Sequence, residues 1–199
     1  MPLGAFKAAL MGTAGVSTED VVLLSSQTAS NSTSLSFTGI DSTYGEYIFK
    51  FYIINPATNN ARLLFNGSTD GGSNYNVTKT TSMFTAGHNE NNDAASVYAQ
   101  TGGYGVQQST SAAELMPNMS SDGDASAAGE FHLFAPSSTT YVKQIYARLS
   151  PMSRPSSTIH GAADHHTGGY FNTTSAINAI QFTMSSGNFD GKIKMWGVK

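Results

Sequence analysis

Apolar positions along this 199-residue chain recur with a period of two almost throughout, the spacing of strands whose alternate side chains face a core. Residues 46–54 set Tyr47, Phe49, Phe51 and Ile53 against Ile48, Lys50, Tyr52 and Ile54, and apolar groups on both sides predict a central strand covered on two faces. Turn-forming residues follow from Asn55 to Asn60, and 61–65 reads as the returning strand of a hairpin. Val21-Val22-Leu23-Leu24 predicts the first strand, and Leu35 and Phe37 alternate with serine and threonine over 34–40. In the second half, 131–135 and 141–150 read as strand, turn, strand, with Tyr141, Lys143, Ile145, Ala147 and Leu149 on one face. Ile180, Phe182 and Met184 share a face of the next strand. Asn188 to Gly191 would make a turn, and 192–198 would close the sheet with Ile193 and Met195 opposite Lys192, Lys194 and Trp196.

Helical periodicity is confined to residues 5–11 and 112–116, each with room for a turn or two. The expected fold is therefore all-β: an antiparallel β-sandwich, jelly-roll-like, over residues 18–199. An N-terminal arm precedes it over 1–17. Two stretches of irregular pattern, about 85–129 and 150–169, are expected to be long loops.

Composition narrows the function. Charged residues make up 12% of the chain, about half the usual 25%. Its polarity comes from Ser, Thr and Asn, with 20 glycines, while 39% hydrophobic and 11% aromatic content is that of a folded chain. A formal charge of −3 argues against a nucleic-acid partner. No apolar run approaches the roughly 20 residues of a spanning helix, so no membrane partner is expected. Without cysteine, disulfides, thiolate chemistry and Cys-type zinc sites all fall away. The opening segment carries Lys7 inside its apolar run and is broken by Gly4 and Gly12, so it is not expected to act as a signal peptide.

The densest group of metal-competent side chains is His160, Asp164, His165 and His166. Imidazoles and a carboxylate at this spacing could ligate a divalent ion, but a Gly/Ala-rich loop offers no fixed geometry, and the simpler expectation is an exposed loop. His132, out of phase with Phe131 and Leu133, reads as a histidine on a sheet face. Asp70-Gly71-Gly72 between Asn66 and Asn74 has one carboxylate where calcium wants several, and reads as a tight turn. No nucleophile elbow or phosphate loop is present. With 13 acidic residues in all, a glycosidase pair has little support. No enzyme activity and no cofactor are expected. What remains is surface. Tyr98, Tyr104 and Tyr170, in an uncharged Ser/Thr/Asn/Gly background, are candidates for a binding face; alternatively such tyrosines cap the core with their hydroxyls in water. The arm offers Leu3, Phe6, Leu10 and Met11 as contacts to a neighbouring subunit.

Four blocks carry a resemblance: 26–49, 65–76, 133–143 and 168–199. The last includes Ser185-Ser186-Gly187-Asn188 and then Gly191, Ile193, Trp196 and Gly197. Over roughly residues 25 to 199 the chain resembles an uncharacterised family of tailed-bacteriophage virion proteins, although Trp196 stands where tyrosine is commoner. The resemblance implies a β-sandwich with a structural role on the particle and no catalytic residues to transfer. The expected function is capsid decoration (cement): arm and loops would bridge the major capsid protein or other virion proteins, as a symmetric homo-oligomer, a trimer by preference. Localisation would be the virion surface after synthesis in the host cytoplasm. The alternative is a tail or fibre component binding a host-surface glycan.

Overall fold

The computed structural model describes residues 20–92, 94–99, 105–153 and 161–199, and these contain twelve strands and no helix. In chain order they are β1 (Val21–Ser32), β2 (Ser34–Thr38), β3 (Glu46–Pro56), β4 (Ala61–Ser68), β5 (Lys79–Asn89), β6 (Ala95–Ala99), β7 (Ala113–Met119), β8 (Ala127–Phe134), β9 (Lys143–Ser153), β10 (Gly161–Phe171), β11 (Ala179–Met184) and β12 (Phe189–Val198).

Eight of them form nested antiparallel pairs, β1 with β12, β2 with β11, β3 with β8 and β4 with β7. The pairs interleave as β1-β12-β3-β8 in one layer and β2-β11-β4-β7 in the other. The chain thus crosses between layers at every connection from β1 to β5, and again from β6 to β7, β7 to β8, β10 to β11 and β11 to β12. This is the double Greek key of a jelly roll. The remaining strands enlarge the first layer into an eight-stranded sheet, β1-β12-β3-β8-β9-β10-β5-β6. The layers meet at a single ladder pair, Met119 to Ser153, between β7 and β9. At the opposite end Gln27 Nε2 donates to Ser36 O across 2.8 Å, so the barrel is nearly closed.

The residues facing inward build one aromatic core. Phe182 of β11 is 0% exposed, and its ring lies 4.9 Å from Phe51, 5.3 Å from Phe49, 5.8 Å from Phe131 and 6.2 Å from Phe37, all edge-on. Edge-to-face contacts let the partly positive ring edge meet the negative face. Gly197 is a position where the core requires glycine: a Cβ there would sit 2.5 Å from the ring of Tyr44, itself packed edge-on against Tyr47.

Several expectations need correction. β3 and β4 are consecutive yet unpaired, because a jelly roll sends successive strands to opposite layers; β4 pairs with β11 and β7 instead. The turn before β12 falls at Ser185 to Asn188, and Phe189 already belongs to the strand. Residues 113–119 are the strand β7 rather than a helical turn. β3 is expected to be covered on two faces, but only one is buried: Tyr52 on the outer side is 39% exposed, and the inward phase of Tyr47, Phe49 and Phe51 breaks at Ile53, which is 71% exposed while Ile54 is fully buried. A bulge between Phe51 and Ile54 shifts the phase by one residue, with Ile53 at φ 51°. The facing residue on β12 is Gly191, at φ 137°, where a Cβ would fall 2.7 Å from Ile53 O. The predicted loops at 85–129 and 150–169 hold the end of β5, β6, β7, the start of β8, the end of β9 and most of β10. Small and polar residues hid these strands, because ladder hydrogen bonds need no apolar side chain. Leu3, Phe6, Leu10, Met11, Tyr104 and His160 lie outside the described residues.

Two lysines are buried on the inner face, each the cross-strand neighbour of Phe171. Lys143 Nζ donates to the carbonyls of Tyr141 and Thr173, and its burial lowers its pKa. Lys79 Nζ donates to Asn66 Oδ1 at 2.7 Å and Val77 O at 3.2 Å, and burial pulls its pKa down to about 8. The unfolded chain therefore holds this proton to higher pH than the fold does, and stability should rise as pH climbs from about 8 to 10.5. Lys79→Met removes a desolvated charge and leaves Asn66 Oδ1 its bond from Gly67 N. We expect equal or higher stability at pH 7, by up to about 2 kcal/mol, and a smaller alkaline rise, because Lys143 keeps its own contribution. Urea unfolding at pH 7 and 10 checks both, and a destabilised variant that kept the full rise would refute the account.

Candidate functional site

The strand pairing lines up one transverse row on the solvent side of the large sheet. Ser26, Lys194, Lys50, Glu130, Arg148, His166, Phe84 and Ala99 stand in register from β1 to β6. In a chain so poor in charge, this row and its immediate neighbours concentrate much of it. Arg148 Nε donates to both carboxylate oxygens of Asp164 at 3.1 Å, and Nη2 to Oδ2 at 2.7 Å. This fork holds the Asp164 carboxyl below, and the Arg148 guanidinium above, their ordinary pKa values. Asp164 Oδ2 also lies 3.3 Å from His166 Nε2, and the His166 ring stacks on Phe84 at 4.5 Å and 5°. Glu130 meets Lys50 at 3.5 Å and His132 Nε2 at 3.4 Å, while His132 Nδ1 contacts Glu46. Opposite charges pair across β3, β8, β9 and β10, each exposed pair adding about 0–1 kcal/mol, while Lys194 stands opposite Lys50 across the ladder.

Aromatic side chains flank this row. Tyr146 and Phe134 lie 5.6 and 6.0 Å from the His132 ring and are 40% and 38% exposed, and Phe84 is 46% exposed. Tyr52 adds a further ring, with Lys194 Nζ 5.4 Å from its centroid. Tyr170, a candidate for a binding face from sequence, is a half-buried residue of β10 on this same outer side, paired with Gln144 and Thr80. The aromatic members other than Tyr170 were not singled out from sequence, although their alternation with core residues was visible.

The His-rich stretch is a strand rather than a loop. Alternation along β10 sends Asp164 and His166 outward and His165 inward, so these three side chains do not converge on one ion. Among the described residues no group of three or more His, Cys, Asp and Glu side chains could hold a metal. Asp70 instead organises its own turn: it accepts from Ser68 Oγ at 2.6 Å, Asn74 N at 2.9 Å and Asn74 Nδ2 at 2.7 Å, which pulls its pKa to about 2.

The inner face of the β10–β5–β6 extension is unlike the aromatic core. Its inward positions on β10 run Gly161, Ala163, His165 and Thr167, and those facing them on β5 include Thr85, Gly87 and Asn89. A cleft of about 270 Å³ lies here. Thr85, Asn89 and His165 form its floor, Tyr98 of β6 stands at its mouth 47% exposed, and Asn118 and Ser153 complete its wall. His165 is 2% exposed, with Nδ1 2.8 Å from Thr85 Oγ1, and Nε2 has no hydrogen-bond partner among the described residues. Burial pushes its pKa down to about 4, which keeps the imidazole neutral at pH 7. From sequence Tyr98 was a surface candidate and His165 a weak metal ligand, whereas Thr85, Asn89, Asn118 and Ser153 carried no signal.

A scan against protein-family models found no match to the chain, nor did searches of curated proteins and of solved structures.

Proposed function

We propose that the chain is a non-enzymatic structural protein of a bacteriophage virion, acting as a capsid decoration protein. One observation carries the reading: an outer face eight strands wide that interleaves exposed aromatic rings with ion-paired charge. Such a surface gives large contact area in which Lys50, Glu130, Arg148 and Asp164 already have partners and Lys194 lies against an aromatic ring, as protein–protein contact faces favour. The resemblance to tailed-phage virion proteins and the jelly-roll architecture, which viral capsid domains use, support the same reading. Binding only the assembled shell would stabilise the shell by mass action.

Cryo-electron microscopy of the intact particle tests this. The expected result is density for this chain over the capsid lattice, the large sheet turned toward its neighbours. Deleting residues 1–17 should then abolish attachment. Density confined to the tail would overturn the decoration role. A second reading, a tail component that binds a host-surface glycan, is favoured by the neutral polar cleft behind Tyr98. Under it, Tyr98→Ala should lower adsorption to host cells while particle assembly is unchanged.

A further inference from the structure

We infer that the cleft between β5, β6, β10 and β7 is a binding site for one ring of a neutral saccharide, with His165 as its fixed hydrogen-bonding group and Tyr98 as its stacking wall. This deepens the glycan reading and rests on it for the ligand class.

The argument starts from where the fold changes character. Along the inner face of the large sheet, β3 contributes Tyr47, Phe49, Phe51 and Ile54, all fully buried. Two strands beyond β8, the inward positions of the first part of β10, from Gly161 to Thr167, become glycine, alanine, histidine and threonine, and Phe171 at the far end of the strand rejoins the aromatic core. A sheet that needed only to fill its interior would carry apolar groups here. Small residues leave room instead, and the polar ones point into it. The cleft is smaller than the ~300–1,000 Å³ that takes a drug-sized molecule, and at about 270 Å³ it suits a single ring.

The lining selects the chemistry. Among the described residues the cleft contains no Asp, Glu, Lys or Arg, so these residues offer neither an anion nor a cation a counter-charge to offset its desolvation. The neighbouring carboxylate Asp164 points to the other side of the sheet and is occupied by Arg148. Inside are side chains that both donate and accept: amides of Asn89 and Asn118, hydroxyls of Thr85 and Ser153, and a neutral imidazole. A sugar hydroxyl also does both, so it can complement His165 Nε2 in either tautomer. The imidazole is held by Thr85 Oγ1 through its other nitrogen and needs no reordering to bind. Tyr98 lies in register with Thr85 on the same inward side of β6. Its ring at the mouth offers a flat apolar surface to the C–H face of a pyranose, while a neutral polar floor takes the hydroxyls.

The test uses the full-length chain and NMR titration with methyl α-glucoside, methyl α-mannoside, methyl β-galactoside and N-acetylglucosamine, with N-acetylneuraminate as the charged comparator. At least one neutral probe should shift the amides of Thr85, Gly87 and Asn89, and N-acetylneuraminate should not. Tyr98→Ala, an exposed change that leaves the core intact, should weaken binding by about tenfold, equivalent to about 1.4 kcal/mol. His165→Phe should abolish it. Tyr141→Ala, at an exposed tyrosine outside the cleft, should change nothing. Saccharide binding that survives both Tyr98→Ala and His165→Phe overturns the cleft assignment and leaves the glycan reading standing. Failure of every neutral probe to bind overturns both.

Discussion

Phe182→Ala should cost about 3–5 kcal/mol of folding stability, the range for deleting a buried phenylalanine. The side chain is fully buried at the centre of the smaller sheet, and it is the ring against which Phe37, Phe49, Phe51 and Phe131 all pack. Truncation removes its own burial and leaves a cavity bounded by four aromatic faces drawn from β2, β3 and β8. Strands on both sides of the cavity are held by their ladders, so the walls have little freedom to collapse. Against a total stability of roughly 5–15 kcal/mol, the loss would put the variant close to unfolding. Phe182→Leu, which keeps most of the volume, should cost far less, under about 1.5 kcal/mol. Urea unfolding checks both through the midpoint at constant slope. A loss below about 1 kcal/mol for the alanine variant would mean that the core has relaxed around the gap.

The second large effect is a loss of stability in mild acid. The imidazole of His165 protonates near 6.5 when exposed but only at about 4 in the fold. Below pH 6.5 the unfolded chain takes up a proton that the folded chain refuses, so stability falls as pH drops through the window from 6.5 to about 4 and levels off beneath it. The full displacement corresponds to about 3 kcal/mol. Above pH 6.5 the imidazole is neutral in both states and contributes no slope. The charged groups around it are Asp164, which favours the protonated form, and His166, which opposes it; both are weaker than the burial. The carboxylates of Asp41, Asp70 and Asp164 are held below their ordinary value of 3.8, so their contributions are lost at lower pH, beneath this window. His165→Phe should remove the loss between pH 6.5 and 4. Chemical denaturation of both proteins at pH 7, 5.5 and 4 provides the check, and parallel curves would show that another group controls acid sensitivity.

His165 also shows how far a sequence carries a site. The residue stands out as one of a run of metal-competent side chains, and proximity along the chain suggested a shared ion. A strand places neighbours on opposite faces, so the three described members of that run divide into Asp164, paired with Arg148, and His166 on the outer side and a buried imidazole on the inner side. The small-polar alternation Gly161, Ala163, His165, Thr167 was present to be read, but it lacked the apolar residues by which strands announce themselves. Thr85, Asn89 and Asn118 are ordinary polar residues until β7 and the β5–β10 ladder bring them to one cleft.

Where strands alternate strongly, the reading held. The faces bearing Leu35 and Phe37, Ile145 to Leu149, Ile180 to Met184, and Ile193 with Met195 all turned inward as the period of two required. In β3 the alternation holds only as far as the bulge that carries Ile53, because an extra residue in one strand is a matter of its partners' register. By itself, the sequence determined an all-β protein, its principal strands and their buried faces, since these follow from local alternation and turn chemistry. Only the tertiary structure decided the nested pairing of β1 with β12 and β2 with β11, the transverse row of charge, and the cleft beside His165. Each joins residues far apart in the chain, and no local pattern encodes which distant strand will supply a backbone's missing hydrogen bonds.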